Sequence, residues 1–266
     1  MLLLVFILSK DCMMKTYSDK QYVELFHLIF LAQMGRKIDK RFYVLKGGCN
    51  LRFFFKSPRY SEVMDLDVKD IPVHKLADQV GGILESKPFA QILQVRGMSV
   101  VHINNDKQTP TTQRWKLGLG IPGVDRPVPT KIEFSRRGME EDMEFAPVDA
   151  LVTSGYELPP VLANHYSKQA AYGQKIRALA DRKETQARDI FDLHLLLGMG
   201  ADPRRVPKKA GEKLAEAMDK ALTLDFGVFA SQVLAYLPAE DRDAYDADAW
   251  DAIRLRVFDA LKEGAS

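Results

Sequence analysis

Two aspartates one residue apart, in a short run of β-forming residues that follows a glycine pair, constrain this chain more than any other feature. Phe42-Tyr43-Val44-Leu45 has strand character and leads into Lys46-Gly47-Gly48-Cys49-Asn50-Leu51-Arg52. Arg59-Tyr60-Ser61-Glu62 then precedes a second strand, Met64 to Val68, carrying Asp65 and Asp67. Side chains alternate faces along a strand, so both aspartates project from one side of the sheet. Carboxylates held side by side repel each other unless a hard cation lies between them, and Mg²⁺ takes oxygen ligands of this kind. A glycine turn that opens a helix offers bare N–H groups to an anion. A phosphate cradle beside a metal-binding pair points to chemistry on a nucleoside triphosphate.

The rest of the chain supplies a frame for that strand–helix–strand unit. Ser18 and Gln21 make a capping box ahead of Tyr22–Leu31, which reads as a largely buried helix. Leu76, Val80, Ile83 and Leu84 fall at helical spacing within residues 74–86. Val100–Ile103, Arg114–Leu119 and Thr130–Phe134 read as strands, with a loop from Pro122 to Pro129. After about Pro147 the pattern is helical, apart from the Pro159-Pro160 break. The expected class is therefore α/β (α+β): a mixed-sheet domain over residues 1–150, then a helical domain over residues 151–266.

At 266 residues the core needs no covalent staples, and two cysteines, Cys12 and Cys49, form no ligand spacing. A reducing cytoplasm is the expected setting. The apolar run Met1–Leu8 is too short to span a bilayer and lacks the flanks of a signal peptide. It is an extra strand or helical turn, or the true start lies at Met13 or Met14. A net charge of +2 excludes no partner, so local clusters carry that argument. One runs from Lys107 to Arg137, with Arg114, Lys116, Arg126, Lys131 and Arg136 around Trp115; such a set can bind phosphates and stack a base, or be a solvated sheet face. The acidic stretch Glu240–Asp248 reads as a solvated loop. The five histidines show no ligand spacing, and neither a nucleophile elbow nor a Walker phosphate loop is present.

The Lys46–Arg52 and Arg59–Asp67 segments resemble those of the AbiEii/AbiGii toxin family, within the nucleotidyltransferase superfamily whose distant members include DNA polymerase beta. That resemblance spans roughly residues 20–200. It departs at Val63, where many relatives carry an acid, and at Cys49, where a Ser or Thr hydroxyl usually meets phosphate. A thiol donates poorly, so Asn50 is a substitute candidate. The resemblance implies a third carboxylate, matched here by Glu133 in Lys131-Ile132-Glu133-Phe134, which would complete a Mg²⁺ (or Mn²⁺) site and attract the acceptor's proton. It also matches Lys175 and the following Arg188-Asp189-Ile190-Phe191-Asp192-Leu193 segment. Lys175 would hold the triphosphate and Asp189 would orient it. Without that likeness, Lys175, Leu179 and Arg182 at i, i+4 and i+7 read as one charged helix face, with Arg188–Asp192 as a surface pair. Arg52 is expected in an ion pair, with an acid such as Glu62.

The implied activity is metal-dependent transfer of a nucleoside monophosphate from an NTP to RNA, with the tRNA 3′ end the leading acceptor. Gly47, Gly48, Cys49, Asn50 and Lys175 would bind the nucleotide. A cognate antitoxin that acts without a stable complex is also implied, and no membrane partner. Three alternatives stay open: a protein side chain as acceptor, a catalytically silent nucleotide- or RNA-binding module, and a small-molecule nucleotidyltransferase.

Overall fold

The computed structural model describes residues 17–140 and 142–265. Cys12, the apolar N-terminal run and the alternative starts lie outside the described residues. The chain opens with α1 (Asp19–Lys37), whose capping box forms as expected: the Ser18 hydroxyl accepts from the Gln21 amide and the Gln21 side chain accepts from the Ser18 amide. Buried residues occupy every face of α1 from Tyr22 to Leu31, so the helix lies inside the domain.

Next come β1 (Tyr43–Lys46), α2 (Gly47–Phe54), β2 (Val63–Val68), α3 (Val73–Leu84) and α4 (Lys87–Val95). Three long strands follow, β3 (Ser99–Gln108), β4 (Thr112–Gly120) and β5 (Val128–Ser135). Then come β6 (Met143–Pro147), α5 (Ala150–Gly155) and β7 (Leu162–Tyr166). The remainder is helical: α6 (Lys168–Asp181), α7 (Ala187–Gly198), α8 (Lys208–Gly211), α9 (Leu214–Ala221), α10 (Phe226–Gln232) and α11 (Ala247–Ala265).

The strands form one seven-stranded sheet in the order β3-β4-β5-β2-β1-β7-β6. β2 runs parallel to β5 and β1 parallel to β7; the other pairs are antiparallel. Alternation divides this sheet sharply. Leu45, Met64, Leu66, Trp115, Ile132 and Phe134 join one apolar core with α1, α3 and α4. Lys46, Asp65, Asp67, Arg114, Lys131 and Glu133 occupy the alternate positions and line a cleft. A second core gathers Phe191, Phe229 and Trp250 from α7, α10 and α11, and takes in Leu51 and Phe55 from the end of α2.

The change of texture near residue 150 does not coincide with the edge of the sheet. β7 arises beyond it and inserts between β1 and β6, pairing Leu45 with His165. It is five residues long, follows Pro159-Pro160 and lacks clean apolar–polar alternation, so its strand character comes from the free edge of β1. Neither α4 nor β6 was anticipated. Among the described residues no helix is long and apolar enough to cross a membrane.

Candidate active site

The diglycine bend sits where β1 becomes α2. Gly47 has φ +67°, and a Cβ added there would lie 3.0 Å from Asp65 Oδ2. A Cβ on Gly48 would lie 2.7 Å from Ser61 Oγ, so the bend is closed in from two sides and tolerates no side chain. α2 begins at this bend without a side-chain cap, and both glycines line the cleft. Its first amides are therefore left for an anion, the arrangement helix N-termini use to hold phosphate.

The carboxylates lie on the strands beside the bend. Parallel register sets Asp65 next to Glu133, and antiparallel register sets Lys46 opposite Asp65. Desolvation pushes the Asp65 carboxyl above the usual range and nearby Glu133 adds to this, against the pull of Lys46, Lys131 and Lys175. Asp67 pairs with Lys46 Nζ and accepts a 2.8 Å hydrogen bond from the buried Tyr166 hydroxyl. Glu133 accepts from Arg114 Nε at 2.6 Å, with Lys131 Nζ 3.6 Å away. Burial opposes ionisation of Glu133, yet these two cations hold its carboxyl below the ordinary value.

Asp65, Asp67 and Glu133 thus share one wall of one cleft of about 930 Å³. Among the described residues no three acid, histidine or cysteine side chains are gathered into a ready-made metal cage. Lysines and an arginine stand beside the acids instead. The donor set is nonetheless all carboxylate oxygen, the chemistry that suits Mg²⁺ or Mn²⁺, and Asp65 and Glu133 are neighbours in register whose mutual repulsion a cation would relieve.

The opposite wall belongs to α6 and α7. Lys175 Nζ lies 3.0 Å from Asp189 Oδ1 and 2.6 Å from Asp192 Oδ2. Arg182 Nε meets the other oxygen of Asp189 at 2.5 Å, and Arg59 Nη2 reaches Asp192 at 3.0 Å. Both aspartates are inaccessible to solvent. Desolvation works against the charge on Asp189, but Lys175 and Arg182 depress its carboxyl below the usual range. Desolvation likewise disfavours the Lys175 ammonium, yet Asp192 and Asp189 raise it above an ordinary lysine.

Several expected roles are corrected. The Cys49 and Asn50 side chains are buried in the core and do not reach the cleft. The Cys49 thiol donates to the Val63 carbonyl at 3.3 Å, and burial holds it far above its ordinary pKa. Asn50 Nδ2 donates to the Tyr166 carbonyl at 3.0 Å. α2 leaves the bend with these positions facing inward, so only its amides serve the cleft. Trp115 is buried edge-on against Phe134 and is unavailable to stack a base. Arg52 pairs with Glu24, while Glu62 accepts from Tyr236. Asp192 turns inward to Arg59 and Lys175 and away from Arg188, which lines the cleft.

The sequence reading also missed Tyr166, hidden in an unforeseen strand, and gave Asp192 only a surface pairing with Arg188. The Asp-x-x-Asp spacing in 189–192 was a usable signal, because i and i+3 share a helix face. Of the basic stretch, Lys107, Arg114, Lys131 and Arg137 reach the cleft. Eleven lysines and arginines line it against six aspartates and glutamates, a positive excess in a chain whose net charge is only +2.

The model of the nucleotidyl transferase AbiEii toxin family, assigned to type IV toxin–antitoxin systems, matches residues 29–263. JHP933 from Helicobacter pylori superposes with a TM-score of 0.61 at 17% identity, covering 94% of each chain. A second H. pylori protein, described as a candidate nucleotidyltransferase, gives 0.62 at 18% identity over 94% of this chain and 96% of its own. MenT4, a nucleotidyltransferase toxin from Mycobacterium tuberculosis H37Rv, gives 0.60 at 15% identity over 93% and 94%. At these identities the structural likeness carries the fold. No curated protein matches in sequence.

Proposed function

Since the chain belongs to the AbiEii family of nucleotidyltransferase toxins of type IV toxin–antitoxin systems, we propose that it moves a nucleoside monophosphate from an NTP to an RNA hydroxyl, with the tRNA 3′ end as leading acceptor. The observation that carries this reading is the in-register placement of Asp65 beside Glu133, against the diglycine bend. Lys175 stands on the facing wall of the same cleft.

In the proposed reaction the acceptor oxygen attacks the α-phosphorus. The bond from that phosphorus to the α–β bridging oxygen breaks, and pyrophosphate departs. The hydroxyl proton passes toward Glu133. The amides at Gly47 and Gly48 hold one part of the triphosphate and Lys175 another, so the chain's own work is positioning and charge stabilisation. Asp65, Asp67 and Glu133 would hold a divalent ion, Mg²⁺ or Mn²⁺, that polarises the α-phosphoryl group and offsets the charge building on the leaving pyrophosphate. Asp189, which does not line the cleft, keeps Lys175 in place. The α/β part and the helical part act as the two jaws of the site, with the sequence boundary near residue 150 shifted in space by the return of β7. The positive excess along the cleft supports a polyanionic acceptor. An antitoxin follows from the family.

The test is to incubate purified protein with total tRNA and each α-labelled NTP in turn. Label transferred to RNA, and lost in Asp67→Ala with folding intact, is the expected result. Label appearing in protein when whole lysate is supplied would replace the acceptor. Binding of a triphosphate without transfer to any acceptor would replace the enzyme by a nucleotide-binding module.

A further inference from the structure

We infer that Asp192 is a positioning residue that locks the two halves of the phosphate grip together, through Arg59 on one side and Lys175 on the other. The inference rests on the proposed reading of the cleft and adds to it a residue that no motif role required.

Asp192 is buried, and its two oxygens are shared by cations from separate parts of the chain. Arg59 Nη2 lies 3.0 and 3.2 Å from them, and Lys175 Nζ lies 2.6 Å from Oδ2. Arg59 comes from the loop before β2, and Lys175 from α6. That loop is in turn packed under the bend: Ser61 Oγ and Arg59 Nη2 would stand 2.7 and 3.4 Å from a Cβ on Gly48. Arg59 Nη1 also donates to the Tyr60 carbonyl, and the Tyr60 amide donates to the Tyr236 carbonyl beyond α10. A rigid chain of contacts therefore runs from α7 through Asp192 and Arg59 to the diglycine bend, and from the same carboxylate to the phosphate-facing lysine. Asp189 serves only Lys175 and Arg182, so it lacks this bridging geometry.

A bridging role and a purely structural one make different predictions. Asp192→Asn removes an anion from a buried cluster that already holds three cations, so the pocket becomes more positive. Ground-state attraction for a triphosphate is kept or strengthened, while the relative placement of bend and lysine is lost. Misplacement of this kind costs on the order of a hundredfold in rate.

The experiment compares wild type and Asp192→Asn in two readouts: calorimetric binding of inorganic tripolyphosphate, and transfer rate at saturating NTP with total tRNA. The expected result is a transfer rate about a hundredfold lower with tripolyphosphate affinity equal or tighter. Transfer within about threefold of wild type overturns the inference, and so does affinity that falls in step with the rate. If Asp192→Asn fails to fold, Arg59→Lys keeps the charge but loses the two-oxygen contact, and the same split is required of it. Should wild type transfer nothing, the reading of the cleft fails and a readout independent of turnover decides this inference. Acetylation of Lys175 by acetic anhydride at pH 8, followed by mass spectrometry, must rise several-fold in Asp192→Asn. An unchanged extent overturns the lock.

Discussion

The two walls of the cleft carry similar charges and hold them in opposite ways. On the sheet wall the acids stand in a row dictated by strand register, Asp67 buried but Asp65 and Glu133 partly open, and their counterions Lys46, Arg114 and Lys131 are themselves partly exposed to the cleft. On the helical wall Asp189 and Asp192 are sealed between Arg59, Lys175 and Arg182. The first arrangement leaves partners that a ligand can replace. The second has none to give up, because removing one member strands a buried charge. In the proposed reaction, groups that must meet a changing substrate sit on the exchangeable wall, and groups that must not move sit on the closed one.

The largest expected effect tests the sheet wall. Asp65→Asn or Asp67→Asn should cut nucleotide transfer by about a thousandfold or more, since each removes an anionic ligand from the proposed divalent ion that would polarise the reacting phosphate. Stability should respond differently. The folded-state pKa of Asp65 is raised, chiefly by desolvation, so the native state holds its proton more tightly than the unfolded chain. Its contribution is favourable below the ordinary carboxylate range and is lost as pH rises through the raised value. Asp65→Asn should therefore melt no lower than wild type at pH 7. A clear drop would mean that the sheet wall is as closed as its neighbour.

The second effect tests the helical wall. The Asp189 carboxyl is depressed, so its contribution is present above the ordinary carboxylate pKa and disappears as pH falls through the lowered one. Asp189→Asn leaves Lys175 and Arg182 short of an anion and should cost about 3–5 kcal/mol at pH 7, roughly 10 °C in melting temperature for a chain of this size. Opposite signs for Asp65→Asn and Asp189→Asn in one calorimetric experiment would establish the contrast. The same sign in both would break it.

The walls also differ in how far the sequence revealed them. Period-two alternation in 63–68 was enough to put Asp65 and Asp67 on one face, because strand geometry leaves side chains only two directions. Glu133 came from the family resemblance, and the register of β5 on β2 is what sets it beside Asp65. The same rule already implied that Trp115, between Arg114 and Lys116, faces away from the basic side chains. On a helix the direction of a residue depends on rotation about its axis, which packing sets. Thus the glycine bend was legible while the inward turn of Cys49 and Asn50 was not. Asp192 seemed a surface partner for Arg188 because only its own helix was in view; Arg59, 133 positions away, was not. β7 escaped for a related reason, since its pairing belongs to the edge of β1.

The smallest effect expected is at Tyr166, where that unforeseen strand meets the acids. Its hydroxyl donates to Asp67 at 2.8 Å and also accepts from the Glu140 amide. Tyr166→Phe keeps the ring volume in its buried slot and removes one donor, which should cost about 1 kcal/mol of stability. Asp67 keeps Lys46 and would keep a bound cation, so transfer should fall only about tenfold, a loss close to that of one hydrogen bond to a charged group. If Tyr166→Phe instead fell as far as Asp67→Asn, Asp67 would depend on a fixed network in the manner of Asp192. The difference between an exchangeable wall and a sealed one would then reduce to Asp65 and Glu133, the two carboxylates for which no buried hydroxyl stands guard.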